Sequence, residues 1–164
     1  PSGRAWGPRS GAALGGAWLA HVASIEPEDG ASRLGPALRR AVRAAPWGGT
    51  LYILSDLWLG DDLDEALVLA PAPRWEAHVA HVLGREQLEP SLDGALALTD
   101  RESGDVLELV VDAEVRAAYR TALDGWLERV QAACAARGAT WRLVPGDLAL
   151  EEALGALLAP APAR

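Results

Sequence analysis

Four amino acids are missing from this sequence: lysine, methionine, phenylalanine and asparagine. All 15 basic residues are therefore arginine, and the aromatic residues are seven tryptophans and two tyrosines. Without lysine, the chain cannot form a Schiff base, hold a phosphate with a loop lysine or use a lysine general base. The sequence excludes these reaction classes.

Cysteine and long apolar segments are also scarce. Cys134 is the one cysteine, so no disulfide can form within the chain. No stretch approaches the roughly 20 apolar residues of a membrane helix, and no charged leader followed by an apolar run opens the sequence. We therefore expect a reducing, cytoplasmic location. Because the sequence does not begin with methionine, we also expect residues upstream of Pro1.

The charge balance is acidic, with 23 acidic against 15 basic residues, a net charge of -8 and a pI near 4.8. Nucleic-acid binding depends on clustered basic side chains that displace counterions, so this balance argues against a nucleic-acid partner. With 164 residues and 50% hydrophobic content, residues 1–164 are predicted to form a single domain. A chain of this length buries a sufficient core without a disulfide or a metal.

The hydrophobic pattern alternates between the periods of helices and strands. Continuous apolar runs predict strands at 50–55, 75–83 and 140–144, and residues 95–98 and 106–111 predict a hairpin closed by Gly104. Spacings of three and four predict helices at 11–25, 34–42, 61–70, 112–138 and after Asp147. This alternation predicts an α/β domain, with a mostly parallel sheet flanked by helices and a β-hairpin insertion.

Several local features carry more detailed predictions. Strand 50–55 is expected to be buried on both faces, as in a parallel sheet covered by helices. Helix 11–25 is expected to pack closely on a flat surface. Ser32 is predicted to cap the helix that follows it, Asp147 to cap the last helix, and Gly138 to end the long helix in a left-handed conformation.

Four segments occur in an order that resembles a known family. They are LYILSDLWLGDD, HVAHVLGREQLEP, LALTDRESGDVLELVVD and AEVRAAYRTAL. Their most specific features are the strand that ends in Ser-Asp, Glu86 after the next strand, the acidic turn Asp100-x-Glu102-x-Gly104 and the helix motif Arg116-x-x-Tyr119. From Arg4 to Leu158 the chain resembles the domain of unknown function 58 family. Members of this family carry a von Willebrand factor A-like domain and are commonly encoded beside MoxR-type AAA+ ATPases.

The resemblance implies a von Willebrand factor A-like, Rossmann-like fold with a site for Mg²⁺ or Mn²⁺ at the carboxyl ends of its strands. The family ligands are an Asp-x-Ser-x-Ser loop, a threonine on a second loop and an aspartate on a third. Asp56 matches the third-loop aspartate, and Ser32 stands where the threonine would be. The first motif is absent, so the resemblance implies a partial domain that lacks its first strand and first metal loop. Asp56 and Ser32 alone are too few to bind Mg²⁺ tightly, because this ion releases its waters reluctantly. A metal cofactor is therefore expected only if the full protein supplies the first loop.

The candidate ligands also have structural interpretations. Asp56 suits a turn in which its carboxylate accepts backbone hydrogen bonds, and Ser32 suits a helix cap. His78 and His81 have the H-x-x-H spacing of many zinc sites, but strand residues three apart point to opposite faces and cannot share one ion. Cys134 continues an apolar stripe and is expected to be a packed, unreactive thiol.

Residues on predicted loops and turns are the candidates for partner binding. They are Trp58, Asp61, Asp62, Asp100 and Glu102. Trp58 lies just after a strand end, and tryptophan is enriched among interface anchors. Asp61 and Asp62 either attract a cation or a basic partner, or they are only part of the solvated first turn of a helix. Asp100 and Glu102 form an acidic hairpin turn, which suits a partner-binding surface better than acid–base catalysis.

Two functions follow from these features. The first is a non-enzymatic protein-interaction module that docks a partner at the carboxyl edge of its sheet, and the resemblance implies a MoxR-type AAA+ ATPase or its client as that partner. The alternative is an Mg-dependent phosphoryl-transfer or hydrolase-type enzyme that uses Asp56. Phosphoaspartyl enzymes usually add a second aspartate two residues on, or a lysine. Here that position is Trp58 and lysine is absent, so the sequence favours the interaction module.

Overall fold

The computed structural model describes residues 15–25, 33–58, 62–100 and 104–159, apart from the side chain of Asp62. In chain order its elements are α1 (Gly15–Ala23), α2 (Leu34–Ala44), β1 (Gly49–Ser55), α3 (Asp62–Val68), β2 (Trp75–Leu83), α4 (Arg85–Leu88), β3 (Gly94–Thr99), β4 (Val106–Val111), α5 (Ala113–Ala136), β5 (Thr140–Pro145) and α6 (Leu150–Leu158). No helix within these ranges is long and apolar enough to cross a membrane.

The main sheet has three parallel strands in the order β1-β2-β5. Helix α3 connects β1 to β2, and α5 precedes β5, so each parallel pair is joined by a crossover. Strands β3 and β4 form a separate antiparallel pair, which lies between β2 and α5 in the order of the chain. The structure therefore confirms the predicted α/β class, with a parallel sheet, flanking helices and a hairpin.

The core lies between one face of the sheet and helices α2, α3 and α5. Alternate residues of β2 point into it, as the period of a strand requires. The buried cluster comprises Leu38, Ile53, Leu57, Leu63, Ala66, Leu67, Ala70, Trp75, Ala77, Val79, Val130 and Cys134. Burial of this apolar surface is the main force that holds the helices on the sheet.

Strand β1 differs from its prediction. It was expected to be buried on both faces, but Ile53 is its one buried residue, whereas Tyr52 and Leu54 on the other face are exposed. The reason is position, because β1 has a single strand neighbour among the described residues and so forms an edge of the sheet. The strand buried on both sides is the central one, β2.

Of the two predicted helix caps, Ser32 lies outside the described residues, and the cap at Asp147 is wrong. Helix α2 begins after Arg33, whose side chain makes no capping hydrogen bond. Helix α6 begins after Ala149, and Asp147 instead accepts a hydrogen bond from the Arg85 side chain. By contrast, Gly138 follows α5 with a φ of 71°, as predicted for a left-handed helix end.

The hairpin is fixed beside the rest of the domain by the Arg-x-x-Tyr motif of α5. Arg116 forms an ion pair with Asp93, which directly precedes β3. The hydroxyl of Tyr119 donates a hydrogen bond to the carbonyl of Gln87 in α4, at 2.7 Å. These two contacts give the motif a structural role at the base of the hairpin.

Helix α1 forms within the predicted helix 11–25, but it does not pack as expected. None of its residues is buried, and Trp18 and Leu19 are half or more exposed. The expectation that this helix packs closely on a flat surface is therefore wrong for the described part of the chain.

Candidate functional site

The candidate site begins at the loop that leaves the carboxyl end of β1. The hydroxyl of Ser55 accepts a hydrogen bond from the N–H of Leu57 at 3.1 Å, and the Asp56 carboxylate accepts one from the N–H of Trp58 at 3.4 Å. Leu57 has a φ of 54°, which non-glycine residues rarely adopt, yet its side chain is only 4% exposed. Burial of Leu57 in the core offsets this backbone strain, and Trp58 is left on the outside.

His81 secures the same loop from the neighbouring strand. It lies opposite Ser55 in the register of β1 and β2 and is fully buried. Its Nε2 atom is 2.9 Å from the backbone carbonyl oxygen of Asp56. Because a carbonyl can only accept, Nε2 carries the hydrogen. Burial lowers the pKa of His81 below its ordinary value although the Asp56 carbonyl favours the charged ring, so the ring is neutral at pH 7.

Two tryptophans contact this histidine, and a third stacks on one of them. Trp126 of α5 meets His81 edge-on, with ring centroids 4.7 Å apart and an interplanar angle of 88°. Trp58 stacks on Trp126 at 4.5 Å and 14°, and Trp141 of β5 lies 6.1 Å from His81. Stacked and edge-on pairs of this kind stabilise aromatic clusters beyond the area they bury. One face of the Trp58 ring is therefore supported by Trp126, while the Trp58 side chain remains 50% exposed.

The described residues do not fit a bound Mg²⁺ or Mn²⁺. Asp56 supplies one carboxylate, and one of its oxygens already accepts the Trp58 N–H. No group of three or more metal-ligating side chains occurs among the residues that the structure describes, and Ser32 falls outside them. Since Mg²⁺ needs several well-placed oxygen ligands, Asp56 acts here as a turn residue, its alternative interpretation.

The two histidines of β2 behave as their spacing predicts. His81 points into the aromatic cluster, whereas His78 lies on the other face, where it stacks on Tyr52 at 4.9 Å and lies 3.4 Å from Glu76. Cys134 is fully buried, and burial raises the pKa of its thiol to about 11. The prediction that the two histidines point to opposite faces is confirmed, as is the packed position of Cys134.

The other predicted partner-binding residues are only partly described. Asp61 and Glu102 lie outside the described residues, as does the side chain of Asp62. Asp100 directly follows the hairpin strand β3. Its N–H donates to the Asp105 carbonyl at 2.8 Å, and its own carbonyl accepts from the Gly104 N–H at 2.9 Å. The structure therefore places Trp58 beyond the carboxyl end of a parallel strand and Asp100 on the separate hairpin.

A groove of about 570 Å³ continues from the aromatic cluster along the outer surface of α3 and α5. Trp126 is common to both, since it stacks on Trp58 and also lines the groove. The other lining residues are Leu63, Asp64, Glu65, Arg129, Val130 and Ala133. Trp126 thus links the groove to Trp58, and we call the groove lining together with Trp58 the Trp58 surface.

Sequence reasoning missed two members of this site, His81 and Trp126. His81 was considered only as a zinc ligand, and Trp126 only as part of an apolar helix stripe. The available signal was the parallel arrangement of strands 50–55 and 75–83, since the carboxyl ends of parallel strands meet at one edge of a sheet. With the two strands as neighbours, that arrangement places His81 close to Asp56.

Comparisons with other proteins add no relative. No family model, curated protein or solved structure matches the chain. The resemblance to the domain of unknown function 58 family therefore stays a prediction from sequence motifs.

Proposed function

We propose that this chain is a non-enzymatic protein-interaction module with a von Willebrand factor A-like fold, which docks a partner at the carboxyl edge of its parallel sheet. The proposed partner is a MoxR-type AAA+ ATPase, on the strength of the motif resemblance. The Ser-Asp strand end, the hairpin insertion and the Arg-x-x-Tyr helix are the features that support the family assignment.

The observation that carries the proposal is the exposed but immobilised side chain of Trp58. Half of it faces solvent, whereas its rear face is stacked on Trp126 and its backbone is held by Asp56. A large aromatic group that is fixed before binding loses little conformational entropy when a partner covers it. Tryptophans in such positions are typical interface anchors.

The enzymatic alternative has less support in the described residues. Asp56 forms part of a turn, and His81 uses its Nε2 hydrogen to bind a backbone carbonyl rather than a nucleophile. Cys134 is buried with its thiol protonated, so it supplies no nucleophile either. Phosphoryl transfer at Asp56 would also lack a lysine to balance the charge of the phosphate.

Binding to a purified MoxR-type ATPase from the same genome tests the proposal. Trp58→Ala is expected to weaken equilibrium binding by about tenfold or more, as removal of an interface anchor does. Trp47→Ala is the matched control, because Trp47 is 88% exposed and lies just before β1, at the opposite end of that strand. The proposal fails if the unaltered chain does not bind, or if the two alanine variants bind equally well.

A further inference from the structure

The groove between α3 and α5 extends the Trp58 surface well beyond a single tryptophan. Its apolar lining, which we call the floor, consists of Leu63, Val130, Ala133 and Trp126. The small side chain of Ala133 leaves space where a larger residue would fill the gap between the helices. A volume of about 570 Å³ is enough for several apolar side chains of a bound segment.

The rim of the groove carries charges of both signs. Glu65 projects from α3 and Arg129 from α5, and both are exposed and have no ion-pair partner within the described ranges. Asp64 also lines the groove, but Arg137 holds it through two hydrogen bonds of 2.7 Å, which neutralises its charge. The two walls therefore present one unpaired negative and one unpaired positive charge across an apolar floor.

We infer that this groove receives an amphipathic α-helical segment of the partner protein, an inference that rests on the interaction function proposed above. A third helix fits between two neighbouring helices by placing the apolar residues of one face on the groove floor. The segment carries a basic residue opposite Glu65 and an acidic residue opposite Arg129.

Charge complementarity decides between this occupant and a purely apolar one. An apolar segment would cover Glu65 and Arg129 and leave both charges desolvated without a partner, which opposes binding. A segment with the opposite charges in register pairs with both and excludes competitors whose charges are reversed. The two rim charges therefore determine which segment binds and in which direction that segment runs along the groove.

A pair of alanine positions on α5 tests the floor of the groove. Ala133→Leu fills the groove and is expected to weaken binding of the purified MoxR-type ATPase by about tenfold or more. Ala132→Leu makes the same change on the same helix, at an exposed position that does not line the groove, and is expected to change affinity by less than about twofold. Leucine is a good helix former, so both variants are expected to retain α5.

Charge-reversal variants test the rim of the groove and leave the apolar residues of its floor unchanged. Glu65→Arg is expected to weaken binding, whereas Glu128→Arg, with the same change in net charge at an exposed position outside the groove lining, is expected to leave it nearly unchanged. If Trp58→Ala weakens binding but the groove variants match their controls, the groove inference is overturned and the interaction function stands. If the unaltered chain does not bind the ATPase, both are overturned.

Discussion

The imidazole of His81 donates a hydrogen bond of 2.9 Å to the backbone carbonyl of Asp56. His81 pairs with Ser55, the last residue of β1, so this bond ties the first residue after β1 to strand β2. It fixes the backbone immediately before Leu57 and Trp58. The position of the exposed tryptophan therefore depends on a buried histidine in the adjacent strand.

Replacement of His81 by phenylalanine is expected to destabilise the fold. The ring stays similar in size, but the Asp56 carbonyl loses its donor, so the free energy of unfolding is expected to fall by about 1–3 kcal/mol. Urea unfolding measures this change. His78→Phe is the control, because His78 is partly exposed on the other face of the same strand. If His78→Phe lowers the free energy of unfolding as much as His81→Phe does, the assigned role of the His81 hydrogen bond is wrong.

Stability is expected to decrease as the pH falls below the ordinary histidine pKa of 6.5. The native pKa of His81 is lowered by burial, so the unfolded chain takes up a proton in this range that the native chain does not. The free energy of unfolding then decreases with falling pH until the native pKa of His81 is passed. The carboxyl pKa values of Asp64 and Asp147 are lowered from 3.8, so their contributions are lost only at more acidic pH.

Urea unfolding between about pH 7.5 and about pH 4.5 checks this dependence, with His81→Phe as the reference. The variant is expected to show a shallower decrease below pH 6.5, because it lacks the titrating ring. Equal slopes for the two proteins would show that the histidine does not link folding to protonation.

Cys134 is expected to resist thiol reagents in the native protein. Burial raises the pKa of its thiol to about 11, and the thiolate is the reactive form. At about pH 8, labelling with a chromogenic disulfide reagent is expected to be roughly 100-fold slower or more in buffer than in denaturant. Rapid labelling of the folded chain would contradict the burial of this side chain.

The chain of 164 residues is expected to show no saturable binding of Mg²⁺ or Mn²⁺ by calorimetry. Asp56 contributes a single carboxylate, and no cluster of three ligating side chains occurs in the described ranges. Asp56→Ala is therefore expected to give the same titration as the unaltered chain. Saturable binding that this substitution abolishes would instead identify Asp56 as a metal ligand.

The alternation of helices and strands could be predicted from the sequence because it depends on local periodicity. Strand β2 was predicted with the observed bounds, and α5 was predicted to end at Gly138, where a left-handed residue is required. These features depend on neighbouring residues alone.

Features that depend on strand order could not be predicted in the same way. The apolar run of β1 is typical of a central strand, and only the order β1-β2-β5 makes it an edge. The pairing of Trp58 with Trp126 requires both that strand order and the orientation of α5 on the sheet. Neither is encoded in spacing along the chain, so Trp58 was predicted as an isolated loop residue and Trp126 as part of the core.

The edge position of β1 in the described three-stranded sheet has a consequence for handling the protein. Its sequence, GTLYILS, contains no charged residue and no proline, which are the usual features that prevent strand addition at an exposed edge. Leu54 is 66% exposed beside this edge. Such strands are templates for intermolecular β-pairing, so concentrated samples of this chain are expected to aggregate through β1. Thr50→Lys, an exposed change at the start of that strand, is expected to delay the aggregation.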